Sequence, residues 1–452
     1  MKVLIANRGE IAIRVMRTLK ELGLSSVAVY SEEDRDSPHV GMADEAWCIG
    51  SAAPRESYLN INRMITAAKI AGADLVHPGY GFLSENDQFA LACEEAGLKF
   101  IGPKGSVMAG LANKFATKEL VAKAGVPVIP GSQRPLRGVE EAKSEAKVLG
   151  YPVLLKAAFG GGGRGIVLVH DESAMEKAFG MSQMEAQAAF GKSELYMEKC
   201  LLDARHVEVQ VAADHHGAVR SYTERDCTIQ RRNQKLIEES PSPFISQEAR
   251  PRLLEAGAKA TAACRLTALA TVEFLLLPDR KTFYFMEINK RIQVEHPVTE
   301  ELLGLDLIRL QVGLALGEKL GPAIEAPPGR HAIEVRVNAE DAAQNFLSGE
   351  GTITALHWPA GPGVRVDTFI RPYLTLATSY DSLLAKVIAS SGHGRPGAIS
   401  RMRRALTETT IEGIPTTIPF HKKILADPVF AQGKEWFNVK YLDSWIPKQR
   451  FI

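Results

Sequence analysis

The chain has 452 residues, 45% of them hydrophobic, with 54 Lys and Arg against 53 Asp and Glu. That length exceeds what one hydrophobic core usually supports, so two to four domains are expected, and a net charge of +1 excludes a broad basic field for nucleic acid or an anionic membrane. Five scattered cysteines (Cys48, Cys93, Cys200, Cys227, Cys264) without CxxC spacing argue against a disulfide framework or a zinc site and fit a reducing cytoplasm.

The N-terminal stretch reaches charge at Lys2 and Arg8 too early for a signal peptide. No apolar run approaches the roughly 20 residues of a membrane span, so neither export nor membrane insertion is expected. Residues 3–6 read as a buried strand. Ile11, Val15, Leu19 and Leu22 then recur at helical spacing, and residues 26–30 read as a second strand. This βαβ opening continues through Leu75-Val76-His77 and predicts an open, parallel α/β domain over residues 1–112. A linker follows at 113–130.

Residues 131–202 read as a small α+β lid. It has strands at 152–157, 166–169 and 194–198, an Ala/Met/Glu-rich helix, and the loop Phe159-Gly160-Gly161-Gly162-Gly163-Arg164-Gly165. Consecutive glycines between two strands let the backbone approach an anion, with Arg164 adding charge. The loop does not open a helix, so neither a dinucleotide fingerprint nor a Walker A loop fits. Residues 203–452 alternate like antiparallel strands at 206–212, 271–277, 283–288 and 332–338, with helices at 246–264 and 299–317.

The strands at 271–277 and 283–288 predict a hairpin in which residue 277 faces 283 and Glu273 faces Glu287. Facing carboxylates destabilise a hairpin unless a cation lies between them. Together with Asn289 they suit Mg²⁺ held jointly with nucleotide phosphates. An extended reading with period two places Glu287, Asn289, Arg291, Gln293 and Glu295 along one side.

Over its whole length the chain resembles the biotin carboxylases, which occur as subunits or domains of acetyl-CoA, propionyl-CoA and pyruvate carboxylases. The most specific stretches are Ile5-Ala6-Asn7-Arg8-Gly9-Glu10-Ile11-Ala12, the run from His77 to Asn86, Gly162-Gly163-Arg164-Gly165, Glu224-Arg225-Asp226-Cys227, and Arg291-Ile292-Gln293-Val294-Glu295-His296-Pro297. The resemblance implies α/β and α+β folding in a three-domain ATP-grasp architecture. It implies nucleotide between the glycine-rich lid and the C-terminal domain.

It further implies Lys114, Lys156 and His206 near the phosphates, Glu198, Lys199 and Leu201 at the adenine edge, and Gln230 and Asn233 near the nucleotide. Glu273, Glu287 and Asn289 would hold two magnesium ions, with manganese an expected substitute. Bicarbonate would lie against Lys235, Arg291, Gln293 and the backbone of Val294, with Glu295 as base and Arg336 stabilising the biotin enolate. No Ala/Val-Met-Lys-Met motif occurs, so a separate biotin carrier protein and a carboxyltransferase are the expected partners. A homodimer is also implied, with Arg14, Arg17 and Glu21 at positions like those of the family's dimer surface.

The chain departs from the family's pattern at Asn233, where histidine is usual, at Asn113, where aspartate is usual, and at Lys290. It also differs in Ala158-Phe159, in residues 266–270 and in Ser348-Gly349-Glu350. None of these is an assigned metal, base or bicarbonate residue. The competing readings are an ATP-grasp ligase acting on another acid and a non-catalytic nucleotide-binding homologue.

Overall fold

The computed structural model describes residues 1–159 and 165–451. The first region is a five-stranded parallel sheet with strands β1 (Lys2–Ile5), β2 (Ser25–Ser31), β3 (Glu45–Gly50), β4 (Leu75–His77) and β5 (Lys99–Phe100) in the order β3-β2-β1-β4-β5. The alternation of β1 sends Leu4 into one core with Val27, Val29 and Phe89, and Val3 and Ile5 into another. Helix α1 (Gly9–Glu21) covers the second face with Ile11, Val15 and Leu19, so both sides of the sheet are buried, as parallel sheets require.

Arg14 on α1 is buried and bonded to Glu300 at 2.7 Å and Asp306 at 2.8 Å. It therefore clamps the first region to the third and does not face outward. Arg17 and Glu21 remain substantially exposed.

Helix α2 (Lys114–Lys123) leads to the second region, where α3 (Val139–Leu149) and α4 (Met175–Phe190) pack on the antiparallel sheet β7-β6-β8. These strands are β6 (Val153–Ala157), β7 (Ile166–Val169) and β8 (Leu195–Lys199).

An eight-stranded antiparallel sheet forms the third region. Its strands are β9 (Arg205–Ala213), β10 (Val219–Arg231), β11 (Gln234–Ser240), β12 (Leu269–Leu276), β13 (Phe283–Asn289), β14 (His331–Asn338), β15 (Val364–Thr368) and β16 (Leu383–Ser391). They are ordered β13-β12-β9-β10-β11-β14-β16-β15. Helix α5 (Ala249–Ala263) packs on β9 and β10.

The single helix expected over 299–317 is two helices, α6 (His296–Leu303) and α7 (Leu307–Leu316). Gly304 turns left-handed (φ +68°) and Asp306 caps the second helix by accepting from the Arg309 amide at 3.0 Å. Glycine and aspartate at those two positions stop one helix and start the next.

Helix α8 (Gly394–Glu408) is pinned to the sheet by Arg395, which reaches both oxygens of Glu239 at 2.6 and 3.1 Å, while His331 reaches Glu239 at 2.9 Å. Burial alone would push the Glu239 carboxyl up, but Arg395 and His331 overcome it and hold the group at about 2. A depressed carboxylate stabilises the fold above its unfolded value and loses that stability as pH falls through the folded one. Wild type should therefore lose on the order of 3 kcal/mol through this group between about pH 5 and pH 2. Glu239→Gln should lack that component of the pH dependence, as denaturant titrations across this window will show.

Candidate active site

The paired carboxylates sit where β12 meets β13. Glu273 faces Glu287 directly, but the register shifts beside them, with Phe274 opposite Phe285 and Leu276 opposite Phe283. A bulge at Met286 absorbs the extra residue. Residue 277 therefore does not face 283 in the ladder, yet the Glu–Glu pairing forms. It is tolerated because an ammonium lies against each carboxylate: Lys235 is 2.9 Å from Glu273 and Lys114 is 2.7 Å from Glu287.

Asn289 ends β13, and its amide donates to Glu273 at 3.0 Å. Beyond it the extended reading fails. Residues 290–295 leave the sheet as a bend and turn. The Arg291 guanidinium folds the segment on itself, donating to the Ile292 carbonyl at 3.1 Å, to Gln293 Oε1 at 2.8 Å and to Asn289 Oδ1 at 3.3 Å. Helix α6 follows at once, with Pro297 in its first turn, where the missing amide costs nothing.

That turn carries Glu295 into the same cluster by a different route. Its two oxygens are divided between Lys235 at 2.7 Å and Arg336 at 2.9 Å. Lys235, on β11, also reaches Glu208 at 2.6 Å, so one half-buried ammonium serves three carboxylates. Burial opposes the charge on Lys235, but Glu208, Glu273 and Glu295 together push its pKa well up. Burial would likewise raise Glu295, yet Lys235, Arg336 and Arg225 hold it well below the carboxylate range. Arg336, on β14, also binds Glu238 at 2.6 Å, and burial and Glu295 push Glu238 up to about 7 against that arginine.

His206 lies 3.3 Å from Glu273 and 3.5 Å from Gln230. These residues form one continuous network: His206, Gln230, Lys235, Glu273, Asn289, Arg291, Gln293, Glu295 and Arg336, with Lys114 and Glu287 attached across the hairpin. Oxygen atoms of Glu273, Glu287 and Asn289 make a hard donor set on adjacent strands, which fits a magnesium ion shared with phosphate oxygens.

A second patch lies where the lid strands meet α2. Both oxygens of Glu198 are held, by Lys118 at 2.7 Å and Lys156 at 2.5 Å. One carboxylate with two lysines leaves a surplus positive charge. The Lys199 ammonium is tied to the carbonyls of Gly150 at 2.7 Å and Tyr151 at 3.2 Å, and Leu201 is half-buried. Gly165 accepts from the Ala157 amide at 3.0 Å with a left-handed backbone, φ +70°. Gly162, Gly163 and Arg164 lie outside the described residues.

Two departures from the family's pattern have a local cause. Arg232 and Asn233 form the exposed two-residue turn between β10 and β11 with φ +50° and +66°. That mirror-type turn favours asparagine over histidine. Asn113 caps α2, accepting from the Ala116 amide at 3.1 Å as an aspartate would.

Sequence reasoning assigned no role to Glu208, Arg225, Lys118 or Glu238. Arg225 is fully buried and binds Glu208 at 2.5 Å, Gln210 at 2.8 Å and Thr299 at 2.9 Å, setting the floor beneath Lys235. A signal existed: His206, Glu208 and Gln210 alternate with valines along β9, and Lys118 lies one helical turn after Lys114.

The family model for the biotin carboxylase N-terminal domain matches residues 1–108, that for the carbamoyl-phosphate synthase L chain ATP binding domain matches 113–323, and that for the biotin carboxylase C-terminal domain matches 334–444. Biotin carboxylase 1 of Bacillus subtilis is 48% identical over 445 residues, covering 98% of each chain.

The chain belongs to the biotin carboxylase family.

Solved biotin carboxylases share its fold throughout. The Campylobacter jejuni enzyme in complex with a β,γ-ATP compound superposes with a TM-score of 0.94 at 44% identity, covering 98% of each chain. The biotin carboxylase domain dimer of Hydrogenobacter thermophilus 2-oxoglutarate carboxylase, bound to MgADP, ADP and bicarbonate, superposes with a TM-score of 0.93 at 44% identity, covering 98% of this chain and 97% of that one. As a biotin carboxylase this chain is an ATP-dependent ligase with an ATP-grasp domain. Among the described residues no helix is long and apolar enough to cross a membrane.

Proposed function

We propose that the chain carboxylates biotin on a separate carrier protein through carboxyphosphate, using MgATP and bicarbonate. The observation that carries this reading is the position of Glu295, divided between Lys235 and Arg336, two turn residues beyond Gln293 and beside the magnesium-type carboxylates. A base, anion-binding cations and hard oxygen donors thus share one wall.

In this reading Lys114, Lys156 and His206 meet the phosphates, while Glu198 and the chain at Lys199 and Leu201 meet the adenine under the glycine-rich cover that includes Gly162, Gly163, Arg164 and Gly165. Gln230 and Asn233 border the nucleotide. Glu273, Glu287 and Asn289 hold magnesium, or manganese in its place. Magnesium when bound neutralises charge on the phosphoryl oxygens.

Lys235, Arg291, Gln293 and the Val294 amide hold bicarbonate. A carboxylate held so low is a weak base while two cations grip it. When bicarbonate draws Lys235 onto itself, Glu295 loses a partner and its proton affinity rises. Glu295 takes the bicarbonate proton as the bicarbonate oxygen attacks the γ-phosphorus and the bond to ADP breaks. Carboxyphosphate then splits into CO₂ and a phosphate trianion, which removes the ureido N–H proton of biotin. The ureido nitrogen attacks CO₂, forming the new N–C bond, while Arg336 faces the negative enolate oxygen. The lid excludes water that would hydrolyse carboxyphosphate.

The carrier and a carboxyltransferase are separate chains in this proposal, and a second copy docks at the exposed edge of α1 bearing Arg17 and Glu21. The five free cysteines fit a reducing cytoplasm. ATP hydrolysis by the purified chain should require bicarbonate and be stimulated by free biotin. Hydrolysis that instead requires another carboxylic acid would point to a different ATP-grasp ligase.

A further inference from the structure

The motifs around Asn7–Glu10 and His77–Asn86 lie on the N-terminal domain and take no part in the chemistry just described, yet they converge on the turn that carries Glu295. At one end of that turn, Glu85 accepts from the Lys290 amide at 3.1 Å and from Arg291 Nε at 3.2 Å. At the other end stands Lys386, which has no exposure to solvent. Its ammonium donates to the Val294 carbonyl at 2.9 Å and lies 3.0 Å from Glu10.

Glu10 also accepts from the Tyr80 hydroxyl. The Tyr80 loop is in turn held by the Asn7 amide, which donates to the carbonyls of Pro78 at 2.8 Å and Tyr80 at 2.7 Å. At Gly79 (φ +62°) a Cβ would come within 2.8 Å of that amide nitrogen, which explains the glycine between them. Lys386 itself sits on β16 opposite Arg336 of β14 and opposite Asp367 of β15. Asp367 is engaged by Arg365 at 2.7 Å, so Glu10 is the carboxylate with which the ammonium makes its close ion pair.

Burying an ammonium costs several kcal/mol unless it is paired. The pairing with Glu10 meets that cost, and the additional bond is spent on a backbone carbonyl of the active-site turn. Because the peptide unit is planar, fixing the Val294 carbonyl also fixes the Glu295 amide and Cα. We infer that Lys386, backed by Glu10 and Tyr80, is the positioning residue that orients the Val294–Glu295 peptide and so sets the geometry of the bicarbonate seat and its base. The N-terminal domain thereby acts on catalysis at a distance, as a brace on both ends of one turn.

The inference rests on Arg291–Glu295 being the bicarbonate seat. The test is steady-state, bicarbonate-dependent ATP hydrolysis without biotin by the full chain and by the double variant Lys386→Met with Glu10→Gln. That pair removes both charges, keeps the volume and leaves an acceptor for Tyr80, so no orphan charge is buried. The expected result is a rise in KM for bicarbonate of about tenfold or more, with KM for ATP within about twofold of wild type. A folded double variant with an unchanged bicarbonate KM, or with both KM values raised alike, overturns the role of Lys386.

If the double variant shows no cooperative melt, Tyr80→Phe decides. It removes one hydroxyl from Glu10 and should raise the bicarbonate KM alone by about two- to fivefold, and an unchanged value overturns the inference. Wild-type hydrolysis indifferent to bicarbonate would overturn the reading of the seat and this inference together. Bicarbonate-dependent wild type with insensitive variants overturns only the latter.

Discussion

Glu295→Gln is expected to lower bicarbonate-dependent ATP cleavage by on the order of 10³-fold while leaving ATP affinity intact. The glutamine preserves the shape and can still accept from Arg336, but it cannot take a proton, so the loss falls on the chemical step. It also removes one of the three carboxylates around Lys235, and the two that remain suffice to keep that lysine charged and in place. The nucleotide patch around Glu198 shares no hydrogen bond with Glu295, which is why ATP binding, read by calorimetry or by protection against thermal unfolding, should stay within about twofold. A variant that kept wild-type turnover would remove Glu295 as the base.

Lys235→Met is expected to be the most damaging single change to stability in the site, at about 3–5 kcal/mol at neutral pH. It strips the ammonium from Glu208, Glu273 and Glu295 at once and leaves three buried carboxylates facing one another. Lys235 holds Glu273 and Glu295 low in the wild type, against burial, which raises both. Without it their folded pKa values rise, the variant takes up protons more readily, and its deficit relative to wild type shrinks as pH falls. Denaturant titrations at pH 7.5 and pH 5.5 read this directly. A deficit that is constant with pH would contradict the charge argument and leave only lost packing.

Much of this arrangement was legible in the residues because local pattern and chemistry agreed. The alternation of Val3–Ile5 and the helical recurrence of Ile11, Val15 and Leu19 announced a parallel α/β layer. The hairpin placed Glu273 opposite Glu287 even though its simple turn count was off by the bulge at Met286. What failed did so where tertiary contacts outweigh periodicity. Period two from Glu287 to Glu295 described a strand, but Arg291 bonding to its own neighbours curls the segment, and only the fold shows that Glu295 still reaches Lys235.

The resemblance put Arg14 on α1 with the dimer-surface positions, and helical spacing cannot see its partners Glu300 and Asp306, nearly three hundred residues away in sequence. The roles of the buried supports Arg225 and Lys386 were hidden for the same reason: a charged residue in a strand reads as a surface residue until its partners are known. In the other direction, the structure gives Asn233 and Asn113 backbone reasons to be asparagine, a left-handed turn and a helix cap. Those departures therefore carry little weight for a non-catalytic homologue.

The central claim, that a bicarbonate oxygen attacks the γ-phosphorus of ATP at this site, is tested most directly with ¹⁸O-labelled bicarbonate. Mass spectrometry of the phosphate released in the presence of biotin should find one ¹⁸O transferred per turnover, at a rate lowered by on the order of 10³-fold when Glu295 is replaced by glutamine. Phosphate that carries only solvent oxygen, at a wild-type rate of ATP cleavage, would mean that water is the nucleophile and would contradict the account.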